Sequence, residues 1–217
     1  MFLLTGYAQG GDALIGWDVE GGDDDGICFE PEKKPTVSDW FPKAGAVVLL
    51  TGKHARPAEQ GVYREALRQG AWLLRVRESG HHHAGPATFD AWAKSLDDPS
   101  LSADDPATAK RRNELLDPMV WDLATRRHYG ALFLIRAAEL FPKAATDLQA
   151  AAACFRAEHD MMWEVNRVGG GQWPGDKLPK LADPAVRKQI AELLLKSRDK
   201  DLEAAESIER ALRAAAD

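Results

Sequence analysis

Ala46-Val-Val-Leu-Leu-Thr-Gly-Lys-His-Ala-Arg-Pro-Ala-Glu59 holds the change of grammar on which the fold reading turns. Ala46–Thr51 is a short apolar run of the kind that forms a buried strand. A few residues later Pro57-Ala-Glu59 opens a helix, because proline at the first helical position gives up an N–H that would have no partner anyway. Upstream of this junction, apolar runs alternate with Gly, Pro and Asp clusters, which is the pattern of strands and turns. Phe2–Gly6 and Ala13–Trp17 flank Gln9-Gly10-Gly11-Asp12, so a hairpin is expected. Gly21-Gly22-Asp23-Asp24-Asp25-Gly26 reads as a second loop and Ile27–Phe29 as a short strand.

Downstream the pattern is helical. Tyr63, Leu67, Trp72, Leu74 and Val76 give the first helix an apolar side up to Gly80. Phe89, Trp92, Ala93 and Leu96 share one face of a second helix that starts near Pro86. Asp97–Asp105 is a polar linker. Ala107–Leu140 is one long helical region, expected to break or bend near Asp117-Pro118, and Phe141-Pro142 ends it. Lys143–Val168 is a further helix, Gly169–Gly175 an irregular loop, and Asp183-Pro184 starts a last helix that runs to the C-terminus. The expected fold is α+β and mostly α: a small N-terminal antiparallel β-hairpin layer followed by a bundle of about five helices. Residues 1–54 form the β-rich part and residues 55–217 the helical domain.

Composition narrows the function. A chain of 217 residues is long enough to bury a core. A net charge of -6 and a pI near 5.6 argue against nucleic acid, whose partners carry a basic stripe. Cys28 and Cys154, far apart and without a spacing pattern, give no disulfide framework and no metal signature, so a cytoplasmic setting is expected. No apolar run is long enough to span a membrane, and Met1-Phe-Leu-Leu4 lacks the features of a signal peptide.

Leu3-Leu4-Thr5-Gly6-Tyr7 and Leu14-Ile15-Gly16-Trp17-Asp18 carry a resemblance. In order and spacing they resemble the C-terminal half of C39-like papain-fold cysteine peptidases and the related N-terminal domain of butirosin biosynthesis protein H acyltransferases. Asp39-Trp40-Phe41 before Ala46–Thr51 looks like the next hairpin of that fold. Gly85-Pro-Ala-Thr-Phe-Asp-Ala-Trp-Ala-Lys-Ser-Leu96 is similar to helical extensions found in some of these proteins. The resemblance implies that Asp18 is the residue that orients the catalytic His, in a mechanism of thiolate attack on an amide or thioester carbonyl.

The departures are as informative. The nucleophilic Cys of that family lies on a helix upstream of the His, and the His would fall at or just before Met1. Cys28 is in the wrong chain order. The chain as given is therefore expected to be inactive in that chemistry, and a strand at residue 1 argues that upstream sequence is missing. The alternative is a non-catalytic helical scaffold that binds a small molecule or a protein. An incomplete β layer exposes the edge Phe2–Gly6, so a homodimer or a partner strand is expected there.

Other constellations have plain readings beside the functional ones. Asp18 is also an ordinary turn residue. Asp23-Asp24-Asp25 lacks the alternating ligands and closing Glu of a calcium loop. His81-His82-His83 are consecutive and point apart, without an i, i+4 partner, so no metal and no cofactor are expected. The histidines of Arg126-Arg127-His128 and Glu158-His159 lie within long helices, where surface or core roles prevail. Cys154 reads as a small core residue. Trp72, Trp92, Trp121 and Trp163 fall on apolar helix faces and are expected in the core, whereas Trp17, Trp40 and Trp173 lie near loops and are candidates for lining a pocket.

Overall fold

A computed structural model of the chain describes residues 2–8, 13–18, 36–38, 55, 57–170 and 180–215. The fold is α+β and mostly α, in two compact units, Met1–Ala55 and Arg56–Asp217. In the first unit β1 (Phe2–Ala8), β2 (Ala13–Asp18) and β3 (Thr36–Ser38) form an antiparallel sheet in that order. The expected hairpin is present, with Leu3 opposite Trp17, Leu4 opposite Gly16, and a register shift between Leu4 and Gly6. β3 carries too few residues to show a period of its own and was not foreseen. The expected loop Gly21–Gly26, the strands Ile27–Phe29 and Ala46–Thr51, the Asp39–Phe41 hairpin and Cys28 lie outside the described residues.

The second unit contains α1 (Glu59–Leu73), a small hairpin β4 (Glu78–Ser79) and β5 (His82–His83), α2 (Pro86–Ser95), α3 (Pro106–Leu140), α4 (Ala145–Gly169) and α5 (Pro184–Ala214). Helix starts follow their chemistry. The Asp105 carboxylate accepts from the backbone N–H groups of Ala107 and Thr108 at 3.0 Å each, and Asp183 accepts from Ala185 N–H at 2.8 Å. α4 ends on Gly170 at φ +76°, the left-handed conformation glycine adopts without cost.

Three expectations need correction. α1 stops at Leu73 rather than near Gly80, because Gly80 at φ +61° makes the turn of the β4–β5 hairpin. α3 is not broken at Asp117-Pro118: it is assigned as one helix through both residues. Proline there sacrifices a single backbone hydrogen bond, while Leu116 and Val120 on either side are buried and hold the helix in place. The tryptophans divide: Trp92 is core, but Trp72, Trp121 and Trp163 are 57%, 54% and 41% exposed. Each is left substantially exposed among the described residues.

The segment 97–105 also holds more than a polar linker. Leu101 in the short 3-10 turn Pro99–Ser102 is fully buried. Arg112 fixes this turn by donating from Nε to the Leu101 carbonyl at 2.8 Å. Arg187 likewise donates to the carbonyls of Leu96 and Leu181 at 2.9 and 2.8 Å. Both guanidinium groups thus satisfy carbonyls that helix and turn ends leave open.

α3, α4 and α5 form three continuous walls, and the fourth wall is divided. α1 and α2 both pack on α5, and the segment 74–85 interrupts them. The core is divided at the same level. One cluster gathers Leu67, Leu134, Leu148, Phe155 and Ile208; the other gathers Phe89, Trp92, Leu116, Met162, Ile190 and Leu194. Each fully buried leucine or isoleucine contributes about 1.5–3 kcal/mol. Between the clusters lies a polar layer.

Candidate functional site

The polar layer is built by one residue from each long helix. Arg127 of α3 donates from Nε to Glu158 Oε2 of α4 at 2.8 Å, and from Nη2 to Asp201 Oδ2 of α5 at 2.5 Å. Its guanidinium carbon stands 4.9 Å from the centre of the Phe155 ring, a cation–π contact. Glu158 and Asp201 are 0% and 1% exposed, whereas Arg127 is 16% exposed. Arg127 is therefore the member of the triad with the most exposed side chain.

Two carboxylates beside one guanidinium, out of water, are costly unless every atom is satisfied. Glu158 Oε1 and Asp201 Oδ1 are buried and accept from no N–H or O–H of the described residues as long as both acids are ionised. Burial, against the pull of Arg127 and with the help of the Asp201 charge and hydrogen bond, pushes the Glu158 acid up to about 9. A proton held by this pair at neutral pH leaves one negative charge beside one guanidinium, a neutral triad.

Two cavities meet at this triad. The first, about 360 Å³, is lined by apolar residues including Leu67, Leu74, Phe133 and Phe155, and by Gly70. The second, about 400 Å³, is lined by Phe89, Trp92, Met119 and Leu123, with Asp122 and Arg126. Arg127, Asp201 and Gly85 border both. Gly85 closes the interrupted wall at φ +48°, and a Cβ there would stand 2.4 Å from the Val76 carbonyl oxygen. Only glycine lets segment 74–85 cross the bundle at this level. The site is thus an opening at the divided wall, apolar on both sides, with a guanidinium at its floor.

No family model, characterised protein or solved structure matches the chain. The reading of the site rests on its own geometry.

The residues singled out by sequence are distributed elsewhere. Asp18 is the last residue of β2, opposite Phe2, in the first unit. His82 and His83 form the exposed strand β5, exposed His81 adjoins it, and none of the three lines either cavity. Among the described residues no three metal-ligating side chains gather. Cys154 is half-buried at the margin of the first core cluster, and burial with the nearby Glu203 carboxylate pushes its thiol up, away from the thiolate a nucleophile needs. His159 has both ring nitrogens engaged, Nδ1 at 2.9 Å from the Ala124 carbonyl and Nε2 accepting from Trp163 Nε1–H at 3.2 Å. Neither nitrogen is left for a metal or a proton transfer. Trp173 and residues 171–175 of the glycine-rich loop lie outside the described residues, as does Trp40.

Arg127, Glu158 and Asp201 escaped the sequence reading. Attention fell on their histidine neighbours, His128 and His159, although the charged residues carried the stronger signal, a charge on an apolar stripe.

Proposed function

We propose that the helical unit is a non-catalytic binding module for a small, largely apolar molecule, held in the opening between α1, α2 and the three long helices. The observation that carries this reading is the convergence of two apolar cavities on one partly exposed guanidinium at the place where the fourth wall is divided. Ligand sites of helix bundles sit between helices, mostly apolar with a few placed polar groups. No cysteine or histidine is among the described residues that line the two cavities, and the triad's two acids hold one proton between them.

The test is binding of N-phenyl-1-naphthylamine, a neutral dye that brightens on leaving water. Wild-type protein is expected to bind it with micromolar affinity. Gly70 lines the first cavity, and a Cβ there meets no atom within 4 Å. A Gly70→Leu side chain therefore starts in open space at the cavity wall, and the variant is expected to abolish the signal while the fold is retained. Equal binding by both proteins would refute the reading.

A second reading concerns the first unit. The pairing of Asp18 with Phe2 brings the end of the return strand beside the start of β1, where the resemblance to papain-fold peptidases and acyltransferases puts the catalytic His. This supports a relative of those enzymes whose Cys and His would lie on upstream sequence. Mass spectrometry of the protein from its host tests it: a chain heavier than 23.8 kDa supports the reading and a chain of that mass counts against it. A homodimer or partner strand along β1, which has only β2 beside it among the described residues, belongs to the same proposal, as does a cytoplasmic location. Among the described residues no helix is long and apolar enough to cross a membrane.

A further inference from the structure

We propose that the site takes a monoanion with an apolar body, a carboxylate whose head group sits on the free edge of the Arg127 guanidinium and whose body fills the first cavity. The inference rests on the binding-module reading and names its ligand class. Arg127 spends Nε–H on Glu158 and one Nη2–H on Asp201. Among the described residues, Nη1 has no partner and is not among the buried unsatisfied atoms. A guanidinium carries five N–H donors in a fixed planar fork. Once the side facing the carboxyls is occupied, the two N–H groups along the Nη1–Nη2 edge remain, at the spacing a carboxylate accepts in bidentate fashion.

Charge order favours an anion. Glu158 lines neither cavity, and Asp201 borders both but is 1% exposed against 16% for Arg127, so Arg127 is the more open charged side chain of the triad. The proton shared by Glu158 and Asp201 leaves a neutral cluster, so an arriving carboxylate does not meet a site that already carries surplus negative charge. Across the first cavity the lining is apolar: Leu67, Leu74, Phe133, Leu134, Phe155 and Ile208. In a setting of such low polarity a charge-assisted hydrogen bond is stronger than in water.

The experiment is isothermal titration of the full chain with phenylbutyrate and with its neutral, nearly isosteric amide, phenylbutyramide. The carboxylate is expected to bind at least about tenfold tighter, a difference of about 1.4 kcal/mol. Arg127→Lys, which keeps the charge and loses the planar fork, is expected to erase that preference. Gly61→Ala, at a position with open space around its Cβ that lines neither cavity, is expected to preserve it and serves as a folded control. Gly70→Leu is expected to abolish binding of both compounds. Equal affinity for the two compounds, or tighter binding of the amide, overturns the inference and leaves the binding module standing. So does failure of both compounds when the neutral dye still binds. If the dye fails as well, the inference and the binding module fall together.

Discussion

Arg127 Nη2 on α3 lies 2.5 Å from Asp201 Oδ2 on α5, 74 residues away in sequence. With Glu158 of α4 completing the contact, the three continuous helices meet at one level. A neighbour one turn up or down any of these helices would present an uncharged stripe residue there and leave a buried charge unpaired. The pair thus specifies the vertical register of the bundle, at the same level where α1 gives way to α2. Buried ion pairs add little net stability, so register is the role this account assigns them.

Removing one partner exposes that logic. Arg127→Met is expected to cost about 3–5 kcal/mol, because the buried Glu158–Asp201 pair is left with a negative charge and no partner for it. Replacing all three residues with Met, Leu and Leu is expected to recover most of that loss. Urea unfolding of the single and triple variants measures both.

Stability should fall as pH rises through neutrality. The Glu158 acid is held at about 9 in the fold against an ordinary 4.5. Between those values the folded chain retains a proton that the unfolded chain has released, so stability declines with rising pH, by up to about 1.4 kcal/mol per unit, and levels off above the folded value. Asp90, hydrogen-bonded to Arg198, and Glu209, hydrogen-bonded to Arg75, are shifted downward, and their contributions disappear only in acid. Thermal unfolding between pH 5 and pH 9 is therefore expected to show a falling Tm. Glu158→Gln should flatten that slope and raise Tm at the alkaline end.

Two glycines of the divided wall should respond in opposite directions. Gly85→Ala places a Cβ 2.4 Å from the Val76 carbonyl oxygen at a positive φ, and a loss of about 2 kcal/mol or more is expected. Gly61 lies in α1 with nothing within 4 Å of its Cβ position. Gly61→Ala should stabilise by about 0.5–1 kcal/mol through helix propensity. Calorimetry of the two variants decides it.

Asp105→Ala removes the acceptor for two backbone N–H groups at the start of α3, and a loss of about 1 kcal/mol is expected. The same helix end is tied down by Arg112, so the effect should stay local. Hydrogen exchange confined to the first turn of α3 would report it.

The helices were legible because Pro86, Pro106 and Pro184 stand at the first positions of α2, α3 and α5, while α1 begins two residues after Pro57, at Glu59; the N-terminal hairpin was legible because its two apolar runs flank a glycine turn. The site was legible in principle. Leu116, Val120, Ala124, Arg127, Ala131 and Leu134 recur at spacings of four or three, and all but Arg127 are buried hydrophobics. Phe155, Glu158, Met162 and Val165 on α4, and Leu194, Ser197, Asp201 and Ala204 on α5, repeat the pattern with one acid each. One charge per stripe, two of one sign and one of the other, announces a buried cluster. What the pattern cannot convey is that the three fall at one height, which depends on loop lengths and helix offsets. The exposed tryptophans misled for a related reason: an aromatic at the edge of a stripe is covered only if a neighbouring helix reaches it, and periodicity does not say where the neighbour ends.

The measurement that bears most directly on the account is the titration of the Glu158 side-chain carboxyl carbon by NMR, assigned by comparison with Glu158→Gln. The account predicts a carboxyl that is protonated at neutral pH and titrates with a midpoint of about 9. A midpoint near the ordinary 4.5 would mean two ionised acids against one guanidinium. The neutral triad would then be wrong.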